Sequence, residues 1–210
     1  MLNTLQLIFL FTLPFIFIQF AYLKISKKIG YDYLFKYFVL GCISNILLNL
    51  RFIYHYNLVD KDITTKLAVN IFLILIATSI IIPISIIDFK YFEIPNEYNL
   101  FLFLLGIGFV VNNRNGWKQY LISGGICLGV YLFLYIASRG NLGMGDVKLA
   151  SCLGLMIPMG TPLRNFIMLS FLSGSIISLI LLLLKKKSSK DKIAFGPYIG
   201  LSYILIYFML

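Results

Sequence analysis

The chain has 210 residues, 60% of them hydrophobic and only 12% charged, with a formal net charge of +10. About a quarter of a soluble domain is charged, so this composition excludes an ordinary soluble enzyme and points to a chain solvated by lipid. Only helices and closed barrels satisfy the backbone in lipid, and the alternating pattern of barrel strands is absent. The expected fold class is therefore all-α, a polytopic integral membrane bundle.

Eight apolar runs follow one another, at residues 5–23, 34–54, 66–87, 98–111, 117–137, 147–159, 165–184 and 193–210. A span needs about 20 residues. The first run has no Lys or Arg before Lys24 and reads as a permanent span rather than a cleaved signal. Pro83 is expected to kink the third run. The fourth and sixth runs are short. The sixth rises only about 20 Å against a hydrocarbon core of about 30 Å, so it extends into its flanks, thins the bilayer or is a half-helix. In the fifth run Gly125 and Gly129 form G-x-x-x-G, and in the seventh Ser170, Gly174 and Ser178 repeat at that spacing. Small residues so placed let helices approach closely. The short connections predict a single structural domain, with two N-terminal spans over residues 1–65 and six further helices over 66–210.

With eight spans, loops alternate sides. Twelve of the eighteen Lys and Arg residues fall on one side, including Lys24, Lys90, Lys148 and the loop "KKKSSKDK". That side is expected to be cytoplasmic, in the inner or plasma membrane. The basic charge is thus accounted for by topology, and no nucleic-acid partner is expected. Cys42, Cys127 and Cys152 lie in apolar runs and form no C-x-x-C pair, so neither a disulfide framework nor a zinc site is expected. No metal or other cofactor is called for.

Elimination then narrows the chemistry. The chain has one histidine, His55, in a loop. Phosphate-cradling glycine motifs are absent. Of eight carboxylates, Asp32, Asp60, Asp62 and Asp191 read as solvated loop residues, leaving Asp88, Glu93, Glu97 and Asp146. Asp88 ends an uncharged stretch of 21 residues; Asp146 opens the sixth run within "RGNLGMGDVKLAS". Both are expected at the cytoplasmic membrane face. Two carboxylates at one depth on different helices can share a water. Like charges at close range raise one pKa, so one stays protonated while the other acts as base, which is aspartyl-protease chemistry. The plain alternative for each is a helix cap, natural for Asp146 after Gly-Met-Gly. Glu97 follows "PN" and reads as a helix start with Asn96 as cap. Glu93 is the spare acid.

"GMGDVKLA" resembles the G-x-G-D signature of the type IV prepilin leader peptidase family, polytopic membrane aspartyl proteases. "DFKYFEIPN", from Asp88 to Asn96, resembles that family's first motif, and "FGPYI" the F-G-P motif opening its last helix. The resemblance covers residues 66 to 210, with the three motifs in the expected order. It implies a six-helix core with catalytic Asp88 and Asp146. The implied substrate is a pilin-like precursor, cut between its short basic leader and its hydrophobic segment at the cytoplasmic face. In this frame Gly143 and Gly145 supply permissive backbone torsions near Asp146, and Lys148 either pairs with a carboxylate or, as favoured here, snorkels. Pro95 and Asn96 position the loop after Asp88, and Gly196 and Pro197 shape the last helix near the site. Many members carry two C-x-x-C pairs in a zinc-binding loop and methylate the new N-terminus. The corresponding loop here, at about residues 24–36, has no cysteine, and methylation is not carried over. Two other readings are open: a presenilin-like intramembrane protease, which shares G-x-G-D, and a small transporter using the Asp pair as a proton or cation site.

Overall fold

The computed structural model describes residues 65–138, 142–184 and 193–209. The first two apolar runs, Cys42, His55 and the loop "KKKSSKDK" lie outside the described residues. The chain divides into two compact units, Met1–Pro83 and Ile84–Leu210. All regular structure among the described residues is helical. In chain order it comprises α1 (Thr65–Tyr91), α2 (Asn96–Asn112), a 3-10 turn (Arg114–Gly116), α3 (Trp117–Ala137), α4 (Met144–Gly154), α5 (Thr161–Leu183) and α6 (Gly196–Met209). Three segments, Val69–Tyr91, Arg114–Ala137 and Thr161–Leu183, are long and apolar enough to cross a membrane. This is the architecture of a helical membrane protein.

In the first unit, α1 carries its polar side chains without cost to its backbone. The hydroxyls of buried Thr78 and Ser79 both donate to the Leu75 carbonyl, the back-bonding that lets Ser and Thr enter apolar helices. The helix continues through Pro83.

The second unit is organised on α4, which packs against α2, α3 and α6. Of the alternatives for the sixth run, the structure takes the short one. Its helix starts three residues earlier than expected, at Met144, and stops at Gly154. Eleven residues rise about 16 Å. The stop has a local cause: Pro158 disfavours helical torsions before it, and the last bonds tighten, Met156 N–H donating to Leu153 and Ile157 N–H to Gly154. The turn is then held from α6, where the Tyr207 hydroxyl donates to the Met156 carbonyl at 2.6 Å. Side chains of α4 and this turn, from Val147 to Ile157, supply much of the unit's buried apolar surface.

Within the described residues, the glycine of α3 that packs against α4 is not one of the G-x-x-x-G pair. Among the described residues, nothing beyond the local helix itself lies within 4 Å of a Cβ built on Gly125 or Gly129. The glycine that meets α4 is Gly124. A Cβ on Gly154 would lie 3.1 Å from the Gly124 Cα and 2.8 Å from the Cys127 Sγ, and the Ser151 hydroxyl donates to the Gly124 carbonyl. Gly154→Ala should therefore cost about 1–3 kcal/mol through overpacking. Gly125→Ala should instead stabilise by up to about 1 kcal/mol, because it only removes a mid-helix glycine. Thermal unfolding of the two variants in one detergent checks this contrast. On α5 the expectation holds at Ser170 and Gly174. Ser170 shares a hydrogen bond with the buried Tyr131 hydroxyl, and Gly174 seats the rings of Phe195 and Tyr198.

Helix α1 ends on an unusual residue. Phe92 has φ +57°, the one positive value outside glycine among the described residues, and its N–H donates to the Asp88 carbonyl at 2.8 Å. This is the left-handed helix stop that glycine normally occupies. Phe92→Gly should raise stability by about 1 kcal/mol by relieving that torsion, measured as a rise in unfolding temperature.

Candidate active site

Asp88 and Asp146 lie on different helices of the second unit and are 4% and 6% exposed. Asp88 sits one turn before the end of α1. Its Oδ2 accepts the N–H of Gly196, the first residue of α6, at 2.8 Å. This bond closes a chain separation of 108 residues. Asp146 is the third residue of α4, and its Oδ2 accepts the N–H of Gly143 at 3.1 Å. Each carboxylate is thus gripped through one oxygen by a glycine N–H, an interaction that favours the charged form.

Ile94 places the two in one locality. A Cβ on Gly145 would lie 2.9 Å from the Ile94 Cβ, and one on Gly196 would lie 3.1 Å from the Ile94 Cδ1 and 2.8 Å from the Asp88 Oδ2. One side chain therefore fills the space between the residue preceding Asp146 and the residue holding Asp88. The Asp146 Oδ1 is buried with no hydrogen-bond partner among the described residues. Asp146 precedes the sixth apolar run; burial first, and the nearby Asp88 charge second, push its carboxyl above the usual carboxylate range.

Several expectations change here. Asp146 is not the N-cap of α4; Gly143 is, and Asp146 at the third position reaches back to it. Gly143 has φ −77° and ψ 145°, torsions any residue adopts, so what the structure shows at this motif is close approach at Gly145, against Ile94, rather than torsional freedom. Asn96 does not cap α2: Pro95 precedes the helix and no side-chain cap bond forms. The Asn96 Oδ1 instead accepts from the Lys148 ammonium at 2.8 Å, so Lys148 ties the first motif to the second rather than snorkelling. Pro95 starts α2, and Pro197 follows the Gly196 that bonds Asp88. Glu93 and Glu97 are exposed, unlike the buried pair.

Two residues of the site were not singled out in the sequence. Ile94 belongs to the quoted "IPN" but carries no polar atom to draw notice. Asn99 donates from Nδ2 to the Gly145 carbonyl at 3.4 Å and is 4% exposed. Its signal was a lone amide in the apolar stretch "LFLFLLG" it precedes.

Comparison with known proteins bears on the family. The chain is 29% identical over 133 residues to the prepilin leader peptidase/N-methyltransferase of Pectobacterium carotovorum subsp. carotovorum, covering 60% of this chain and 47% of that protein. It is 30% identical over 143 residues to the protein of the same name from Legionella pneumophila, covering 64% and 48%. The chain therefore spans about half the length of these curated relatives. No solved structure matches it significantly. The sequence profile of the type IV leader peptidase family matches residues 71–183, a stretch holding both Asp88 and Asp146, and the chain belongs to that family.

Proposed function

We propose that this protein is a membrane aspartic endopeptidase that removes the short basic leader of pilin-like precursors at the cytoplasmic membrane face. The observation that carries the reading is the buried pair, Asp88 and Asp146, on two helices, with the adjoining Gly145 and the Gly196 that bonds Asp88 both packed against Ile94. Asp88 is the base. The Gly196 N–H stabilises its ionised form, and it takes a proton from water as the water oxygen bonds to the scissile carbonyl carbon. Asp146 is the acid. Its buried Oδ1 carries a proton and polarises the carbonyl oxygen. Collapse of the tetrahedral intermediate breaks the C–N bond, with a proton passing to the leaving amine. The positive-inside count supports the cytoplasmic side, because Lys90 and Lys148 flank the two aspartates. The core of this enzyme is residues 66–210.

The test is mass spectrometry of a pilin-like precursor co-expressed with the full chain. Loss of the leader with wild type, and its retention with an Asp88→Asn/Asp146→Asn double variant, is the expected result. The mass of the new N-terminus also reads whether a methyl group is added. Equal trimming by both proteins would overturn the aspartic reading.

A further inference from the structure

Asn99 lies on the first turn of α2 and engages α4 twice. Its Nδ2 donates to the Gly145 carbonyl at 3.4 Å, and its own backbone carbonyl accepts the Cys152 thiol at 3.4 Å. Its Oδ1 is buried and has no hydrogen-bond donor. Three buried side-chain oxygens among the described residues share that condition, and Asp146 Oδ1 is another. Two of the three orphans therefore belong to residues linked through Gly145. Buried acceptors are rarely left so. An ionised Asp146 has no hydrogen to give, whereas a protonated one becomes a donor.

We propose that Asn99 is a positioning residue for Asp146: its amide nitrogen fixes the peptide group that carries Asp146, and its amide oxygen receives the hydrogen of the protonated carboxyl in the free enzyme, until a substrate carbonyl takes that hydrogen. The proposal rests on reading Asp146 as the acid of the pair. An amide suits both tasks because it donates and accepts at once. An aliphatic residue, like those that follow in α2, does neither. Among the described residues, the titratable groups in electrostatic reach of Asp146 are Asp88 from α1 and the Tyr131 phenol from α3. On α4 itself, Lys148 is engaged by Asn96 and Cys152 by the Asn99 carbonyl. Glu97 of α2 is exposed, and Tyr198 of α6 faces Asp88.

The test uses the full chain in detergent with a pilin-like precursor, comparing Asn99→Ala, Asn99→Asp and Asp146→Asn with wild type across pH. Asn99→Ala should lower kcat about 10- to 100-fold while KM stays within about twofold, the mark of a misplaced catalytic group. Asn99→Asp keeps Oδ1 and the shape but donates to Gly145 only while its own carboxyl is protonated. It should approach the wild-type rate at the acid end and lose activity at lower pH than wild type does. Wild-type kcat in Asn99→Ala, or an equal loss in both Asn99 variants at every pH, overturns the proposal. If Asn99→Ala does not accumulate, the pH profile of Asn99→Asp decides alone. An Asp146→Asn protein that cleaves at the wild-type rate would sink the reading of Asp146 itself. An inactive Asp146→Asn beside unaltered Asn99 variants would sink only the inference about Asn99.

Discussion

Asp88→Asn and Asp146→Asn should each cut the leader-cleavage rate by about 10³-fold or more, which corresponds to about 4 kcal/mol of lost transition-state stabilisation. Asn matches Asp in shape, and its side-chain oxygen can still accept the Gly196 or Gly143 N–H. The fold is thus kept while proton transfer is lost. The two variants should differ in residual rate. Asn at 88 removes the base outright, whereas Asn at 146 still donates a hydrogen bond to the carbonyl, so any remaining cleavage belongs to Asp146→Asn. Stability gives a second readout with an opposite sign. Burial raises the Asp146 pKa in the folded protein, so the folded state binds that proton more tightly than the unfolded state. Stability from this group is present below the ordinary carboxylate range and falls as pH rises through the raised value. Asp146→Asn should therefore unfold about 2–4 °C higher than wild type at mildly alkaline pH, a change of about 1 kcal/mol, and the gap should close in acid. A less stable Asp146→Asn at alkaline pH would mean the native carboxylate is ionised and satisfied there, against its role as the acid. Cleavage follows the same titration, failing on the alkaline side as Asp146 loses its proton.

Helix positions were legible where apolar content and punctuation agreed. The run at 117–137 coincides with α3, and the runs around it match α1, α2, α5 and α6 to within a few residues. The sixth run was misjudged at both ends because periodicity does not show a turn. Leu155, Met156 and Ile157 are as apolar as the helix before them and are buried, yet they follow its end. The cue was Pro158. Register on α3 was illegible for a related reason. Gly124, Gly125 and Gly129 all sit in one apolar stretch of α3, and only the partner decides which glycine is packed. The sequence offered the G-x-x-x-G pair, and α4 selected Gly124.

At the site, residue type announced Asp88 and Asp146, because carboxylates beside apolar runs are expensive enough to demand a reason. The partners of those carboxylates were hidden. A backbone N–H has no letter in the sequence, so the Gly196 bond to Asp88 appears only when α6 meets α1. Asn96 looked like a cap because Asn often is one, and its side chain had a stronger offer from Lys148, 52 residues away. The Gly196 and Lys148 contacts join segments distant in sequence, which local pattern does not encode.

Gly196→Ala should lower kcat about 10²-fold with little change in KM, because small displacements of a catalytic group carry costs of that order. A Cβ at this position would lie 2.8 Å from the Asp88 Oδ2 and 3.3 Å from its Cγ, inside any normal contact. The backbone has little room to yield: Pro197 restricts the torsions of the residue before it, and the Gly196 N–H is the atom that holds Asp88. The carboxylate must therefore move, and its hydrogen bond with it. Trimming the neighbour does not relieve this. Ile94→Val would remove the Cδ1 that lies 3.1 Å from the same Cβ, but it leaves the clash with Asp88, so Gly196→Ala/Ile94→Val should stay as slow as Gly196→Ala. Gly145→Ala should be slow for a parallel reason, since its contact is with the Ile94 Cβ at 2.9 Å, an atom valine retains. Gly129→Ala serves as the control for a glycine that meets no side chain among the described residues. Steady-state cleavage by these variants separates two ideas of why the glycines are there. If Gly196→Ala turns over like Gly129→Ala, close packing against Asp88 is not what the site requires. If it is slow and the Ile94→Val change does not restore it, the glycine is present because the carboxylate occupies the place of its side chain.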